Sequence, residues 1–210
     1  RDDQTGLAFG GNKTRKLEFL VAEAREQGAK MLISAGAIQS NHCRQTVAAA
    51  ARFGFDCALV LTGEKPKQPS ANFLLDQLFG AEIITVADRK DRDRILQETF
   101  DNAVAAGKKP YLVPYGGSSP TGALGYAFAM EELVDQLKDL RLLAKRPVGG
   151  ELGGLTGVDW IVFGTSSGGT HAGLVLGQHL FDFKGKVLGI SIDEPEAQLW
   201  LNAQQVFDGF

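Results

Sequence analysis

The chain has 210 residues, a formal net charge of −3, 44% hydrophobic residues and 22% charged residues. This is the composition of a soluble globular protein with enough chain for one large domain or two small ones, and its slightly acidic balance argues against a general nucleic-acid binder. Cys43 and Cys57 are too few for a disulfide framework and suit a reducing compartment, no apolar run approaches the roughly 18 residues of a membrane span, and no basic-then-apolar leader opens the chain, so the cytoplasm is the expected address.

In chain order, Phe9 to Lys16 comes first. Gly10 and Gly11 lead into Asn12, a favoured N-cap, and Leu17, Leu20, Val21 and Ala24 recur behind it at helical spacing, which predicts a helix from about Lys13. Met31 to Ser34 reads as a strand running into Ala35-Gly36-Ala37, Ser40-Asn41 as the start of an alanine-rich helix, and Cys57 to Leu61 as a second strand. A helix with Leu74, Leu75 and Leu78 closes at Gly80. A third strand, Ile83 to Val86, a charged helix from about Asp91 to Ala106, and Tyr111-Leu112-Val113 follow. Beyond Tyr115-Gly116-Gly117-Ser118 a long amphipathic helix is expected from about Leu124 to Leu143, with Phe128, Leu133 and Leu137 on one buried face. Lys145 to Gly157 reads as a mobile connection, Trp160 to Phe163 as a buried strand, Gly164 to Thr170 as a loop before a helix, and Val187 to Ile192 as a last strand before Asp193. Strands and helices alternate, and short runs that are apolar on both faces suit a parallel sheet covered by helices, so the class is α/β. The missing initiator Met and the apolar, helix-like end at Phe210 lead us to expect a fragment lacking both ends.

Three stretches could carry chemistry. Lys13, Arg15 and Lys16 crowd the first turn of a helix, whose dipole disfavours cations, so a bound phosphate would compensate and a crowded amine would become less basic and more nucleophilic. A solvated basic turn is the plain alternative. Ser40-Asn41 falls at the carboxyl end of a strand, where α/β sheets bind ligands. The backbone donors of Ser40, Asn41 and His42 could take a carboxylate and Asn41 could donate to a phenolic oxygen, although simple helix capping accounts for the same residues. The loop from Gly164 to Thr170, with Ser167, Gly168, Gly169 and Thr170 at its end, could form a phosphate nest, a plain turn being the alternative; it lacks the lysine of a P-loop and the spacing of a dinucleotide site, although Asp193 ends the next strand where a ribose-binding acid would sit. No metal site is expected, since no other His or Cys is spaced to help His42. Pyridoxal phosphate explains all three stretches: it needs an amine for its aldehyde, a donor near its ring oxygen and a cradle for its phosphate.

These residues also resemble a family. Gly10-Gly11-Asn12-Lys13-Thr14-Arg15-Lys16-Leu17-Glu18, Ile38-Gln39-Ser40-Asn41-His42-Cys43-Arg44-Gln45, and Gly117-Ser118 with Gly122-Ala123-Leu124-Gly125-Tyr126 are similar to D-cysteine desulfhydrase and 1-aminocyclopropane-1-carboxylate deaminase, fold type II pyridoxal-phosphate enzymes of the tryptophan-synthase-β-like group. The resemblance implies two open, twisted, parallel-sheet (Rossmann-like) domains with the cofactor between them, the smaller at residues 18–121 and the larger, incomplete one at 1–17 and 122–210. It makes Lys13 the Schiff-base lysine and Lys16 a phosphate contact. Asn41 lies near the cofactor's ring oxygen, Ser167, Gly168, Gly169 and Thr170 form the phosphate loop, and Ser40, Asn41 and His42 receive the substrate carboxylate. Lys13 and Ser40 are the catalytic candidates. A homodimer and a small amino-acid substrate are implied as well, with no nucleic acid or membrane partner. His42 after Ser40-Asn41, and Gly116-Gly117-Ser118, favour the desulfhydrase branch, hence a lyase that eliminates hydrogen sulfide from D-cysteine to leave pyruvate and ammonia. The deaminase is the near alternative. An NAD-dependent dehydrogenase using Gly164 to Gly173 with Asp193, or a non-catalytic amino-acid or cofactor binder, is more distant. The substrate-side tyrosine and the partner of the pyridine nitrogen in such enzymes would lie beyond Phe210.

Overall fold

Two strands that are apolar on both faces, β1 (Met31–Ala37) and β2 (Asp56–Thr62), lie at the centre of a four-stranded sheet in the computed structural model, which describes residues 1–144 and 158–210. The expected mobile connection, Lys145 to Gly157, lies outside the described residues. The described chain divides into two compact units, Arg1–Gly117 and Ser118–Phe210.

In the first unit the strand order is β3-β2-β1-β4, all parallel, with β3 at Glu82–Val86 and β4 at Pro110–Leu112. The register pairs Met31 with Asp56 and Ala58 with Glu82. Alternate residues of each central strand face opposite layers. Leu32, Leu59 and Leu61 pack with Leu17, Leu20 and Val21 of α1 (Lys13–Glu26), Val47 and Ala50 of α2 (Asn41–Phe53) and Phe73 of α3 (Ala71–Leu78). Met31, Ile33 and Ala58 pack with Leu96, Phe100 and Ala103 of α4 (Arg89–Ala105) on the other face. Each fully buried aliphatic side chain contributes about 1.5–3 kcal/mol through apolar surface removed from water. Because β4 lies on the far side of β1 from β2, the carboxyl ends of β1 and β4 flank a topological switch point, the place where open α/β sheets take ligands.

The second unit holds α5 (Pro120–Ala144), the parallel pair β5 (Trp160–Thr165) and β6 (Lys186–Ser191), α6 (Gly169–Leu180) and α7 (Glu196–Phe207). Tyr126, Met130 and Val134 of α5 and Leu174 of α6 form its core, with Ile161, Phe163 and Val187 against them.

Three expectations need correction. The Trp160 to Phe163 strand is not buried on both faces: Trp160 and Val162 are exposed while Ile161 and Phe163 turn inward, because among the described residues helices cover only one side of the β5–β6 pair. Phe128 is about half exposed and leans on Phe181 with ring centroids 6.3 Å apart; the buried face of α5 runs through Ala123, Tyr126, Ala127, Met130 and Val134 instead. Asn12 occupies the N-cap position but makes no side-chain cap bond, because its backbone is already helical (φ −60°, ψ −22°) and the side chain cannot fold back over the first turn.

Candidate active site

The basic turn is not solvated. Lys16 is fully buried, and its Nζ donates to the Gly116 carbonyl at 3.1 Å, in the loop after β4. Burial, then the neighbouring Lys13 ammonium, hold its pKa well below the ordinary 10.5. Lys13 is half-buried, and burial lowers its pKa. Loss of water is thus the first cause of the lowered basicity of this turn, and the crowding of charge that the sequence suggested is the second, acting between Lys13 and Lys16. Arg15 is paired with Asp2 at 2.7 Å, so that cation is locally neutralised. Gly11 sets the approach to this turn. Its φ of 128° excludes other residues, and a Cβ there would lie 2.5 Å from Gln45 Nε2.

The second element is the start of α2. Ser40 is a true N-cap: its backbone is extended and its Oγ accepts from Cys43 N at 3.2 Å, while its hydroxyl also bonds the Cys43 side chain. Asn41 is exposed at the first helical position. The His42 side chain turns away into the core, where Nε2 lies 2.8 Å from Ser34 Oγ, and Ser34 Oγ donates to the Val113 carbonyl at 2.9 Å. Since the one serine proton goes to that carbonyl, Nε2 carries the hydrogen and Nδ1 is bare. Burial first, then Lys13 and Lys16, push the pKa of His42 well down, with the Pro114 backbone opposing, so the ring is neutral. Only the backbone of His42 is left to serve a ligand at the helix start.

The third element is within the second unit. Gly168 precedes α6 with φ 80°, and a Cβ there would lie 2.6 Å from Ala203 N. Ser118 Oγ donates to Ser167 Oγ at 2.7 Å and accepts from Gly169 N at 3.1 Å. Thr170 Oγ1 is buried and has no hydrogen-bond partner among the described residues. An orphaned hydroxyl in the first turn of a helix, where backbone N–H groups also lack internal acceptors, fits an anion such as a phosphate.

The sequence reading passed over three neighbours of α2. Asn72, at the start of α3, bonds to Gln39, Asn41 and Arg44. Asp76, on the same helix, is buried with both carboxylate oxygens unpartnered among the described residues. Ser34 is the third. A polar residue inside an otherwise apolar strand was the available signal for Ser34; nothing local marks Asn72. A hollow of about 790 Å³ lies beside Leu7, Thr14, Val21, Arg25, Arg52 and Phe53, and its walls include neither Lys13 nor Asn41.

The first unit thus carries a lysine turn of lowered basicity and a capped helix start at a sheet switch point, and the second unit carries a glycine-hydroxyl nest, all within an α/β chain. The family model for pyridoxal-phosphate dependent enzymes matches residues 1–203, and the chain belongs to that family. It is 40% identical over 194 residues to a protein of Pyrococcus abyssi provisionally named 1-aminocyclopropane-1-carboxylate deaminase, covering 91% of this chain and 54% of that one. It is 39% identical over 204 residues to the D-cysteine desulfhydrase of Salmonella typhi, covering 94% and 57%. The crystal structure of an ACC deaminase homologue superposes with a TM-score of 0.80 at 34% identity, over 99% of this chain and 60% of that one. The chain thus spans little more than half the length of these relatives. The family assignment fixes the cofactor as pyridoxal phosphate and sets aside the dehydrogenase reading of Gly164 to Asp193. Among the described residues no helix is long and apolar enough to cross a membrane.

Proposed function

We propose that the whole protein is a lyase that uses pyridoxal phosphate to eliminate hydrogen sulfide from D-cysteine or a related small D-amino acid, the remaining enamine then reacting with one water to give pyruvate and ammonia. The observation that carries the reading is the first turn of α1: a half-buried Lys13 of lowered basicity beside a fully buried Lys16, in a chain of this family. In this proposal Lys13 holds the cofactor's aldehyde and Lys16 contacts its phosphate. Ser167, Gly168, Gly169 and Thr170 cradle the same phosphate, and Asn41 donates to the ring oxygen. The cofactor supplies an aldehyde that condenses with amines and a ring that takes up the electron pair released at Cα.

The protein's own contribution starts at α2. The substrate carboxylate meets the free N–H groups of Asn41 and His42, where the helix dipole favours an anion, and the Ser40 hydroxyl donates to it while its oxygen stays bonded to Cys43 N. Lys13 takes the proton at Cα, and the Ser40 hydroxyl contributes by holding the carboxylate. Burial lowers the pKa of Lys13, so its amine gives up its proton more readily than an exposed lysine does. The neutral His42 and its bond to Ser34 hold the first turn of α2 without adding charge. We further assign residues 1–17 and 122–210 to the larger domain of the whole protein and 18–121 to the smaller. A cytoplasmic homodimer is part of the same proposal; the two buried free cysteines suit the reducing setting of that address.

The second reading, a deaminase acting on 1-aminocyclopropane-1-carboxylate, is favoured by the relatives that bear that name. Product analysis with the full-length protein separates the two. Sulfide and pyruvate from D-cysteine support the desulfhydrase; a four-carbon 2-oxo acid from the cyclopropane substrate, without sulfide from D-cysteine, replaces it with the deaminase.

A further inference from the structure

We propose that Asn72 is a positioning residue: it relays the orientation of the Arg44 guanidinium to the Asn41 amide, so that Asn41 presents its Nδ2–H group, and not its oxygen, to an oxyanion on the ligand, the cofactor's ring oxygen. This rests on the reading of Asn41 given above.

The relay follows from donor and acceptor identities alone. Arg44 can only donate, and its Nη1 lies 3.1 Å from Asn72 Oδ1, so that end of the Asn72 amide must be the oxygen. The other end, Nδ2, donates to the Gln39 carbonyl at 2.7 Å, and a carbonyl can only accept, which gives the same orientation independently. With Nδ2 fixed as a donor, the Asn41 atom 2.9 Å away must be its oxygen. The Asn41 nitrogen is therefore turned away from Asn72 with two hydrogens to give. An asparagine without such a neighbour could rotate its amide and present either end at little cost; here, rotation would set two NH2 groups against each other.

The same side chains tie the site's loops together. Asn72 N donates to Gln39 Oε1 at 2.9 Å, and Arg44 Nη2 donates to the Gly10 carbonyl at 2.8 Å, just before Lys13. One amide on α3 thus fixes the polarity of Asn41, and through Arg44 the same network reaches the lysine loop.

The test uses the full-length apo-protein titrated with pyridoxal phosphate. Variants Asn41→Ala, Asn41→Asp, Asn72→Ala and the double variant Asn41→Ala/Asn72→Ala are compared for cofactor affinity and for the pH at which the bound cofactor changes colour. A donor on the ring oxygen favours its ionised form, so losing the donor moves the colour change to higher pH. Asn41→Asp keeps the acceptor for Asn72 but has no hydrogen to give, so it is expected to weaken binding at least as much as Asn41→Ala. Asn72→Ala is expected to weaken binding about tenfold and to raise the transition pH in the Asn41 parent; once Asn41 is alanine, it should weaken binding by no more than about twofold and leave the transition pH unchanged. Equal effects of Asn72→Ala in both backgrounds would reduce Asn72 to a structural residue and overturn the relay alone. Parent-like binding by Asn41→Ala would overturn the relay together with the reading of Asn41. A local misfold is distinguished by its effect on the apo-protein: the circular dichroism of each variant should match the parent.

Discussion

Replacing Asp76 by asparagine should make the protein more stable at alkaline pH and leave it almost unchanged in acid. Asp76 is buried in α3, neither carboxylate oxygen has a hydrogen-bond partner among the described residues, and burial raises its pKa from 3.8 to about 7 against the opposing pull of Arg44. A raised carboxyl pKa means that the folded state binds more protons than the unfolded chain between these two values, so stability is fully present below pH 3.8 and is lost as pH rises to about 7. At 1.36 kcal/mol per pH unit the whole loss is about 4 kcal/mol at most, and screening by water leaves an expected gain of about 2 kcal/mol for Asp76→Asn at pH 8. Below pH 4 the two proteins carry a similar neutral, poorly bonded group and should agree within about 1 kcal/mol. Urea midpoints of the apo-protein at both pH values, with the slope unchanged, measure the difference, and hydrogen exchange at the amides of α3 and β2 locates it. A parent and variant whose midpoints move in parallel from acid to alkali would refute the reasoning.

Lys16→Met should stabilise the apo-protein near pH 7 by about 1 kcal/mol or more by removing a buried charge, while weakening pyridoxal phosphate binding. Its parent, with a folded pKa well below 10.5, should gain stability as pH rises toward 10.5, and urea titration should show that slope flattened in the variant. Ser40→Ala should cost about 1 kcal/mol through loss of the α2 cap and raise KM for an amino-acid substrate, read from urea midpoints and steady-state kinetics. Thr170→Val replaces an unpartnered buried hydroxyl by an apolar group of the same shape; the apo-protein should be as stable as the parent or about 1 kcal/mol more so, and cofactor affinity should fall about tenfold in an absorbance titration.

Much of the first unit was legible because local signals and tertiary demands agree there. β1 and β2 are apolar on both faces, which is what central strands of a covered parallel sheet require, and Ser40 combines the right residue with an extended backbone. Where packing decides, the sequence misled. Asn12 has the right side chain for a cap but a helical backbone, and Trp160 belongs to a strand that reads as buried although one of its faces is open. The solvated basic turn that stood as the plain alternative fails at Lys16, which is fully buried, since helix spacing alone does not say which side of a short turn meets the loop after β4. Asn72 was invisible for a different reason: it meets Asn41 from 31 residues away, and no periodicity or motif connects the two.

The most direct measurement is reduction of the cofactor-loaded, full-length protein with borohydride, followed by peptide mapping of the fixed adduct. The account predicts loss of the visible absorbance and a single pyridoxyl adduct on the peptide that contains Lys13, with none in Lys13→Ala. An adduct on Lys16 or on another lysine, or a protein that stays colourless with the cofactor, would contradict it.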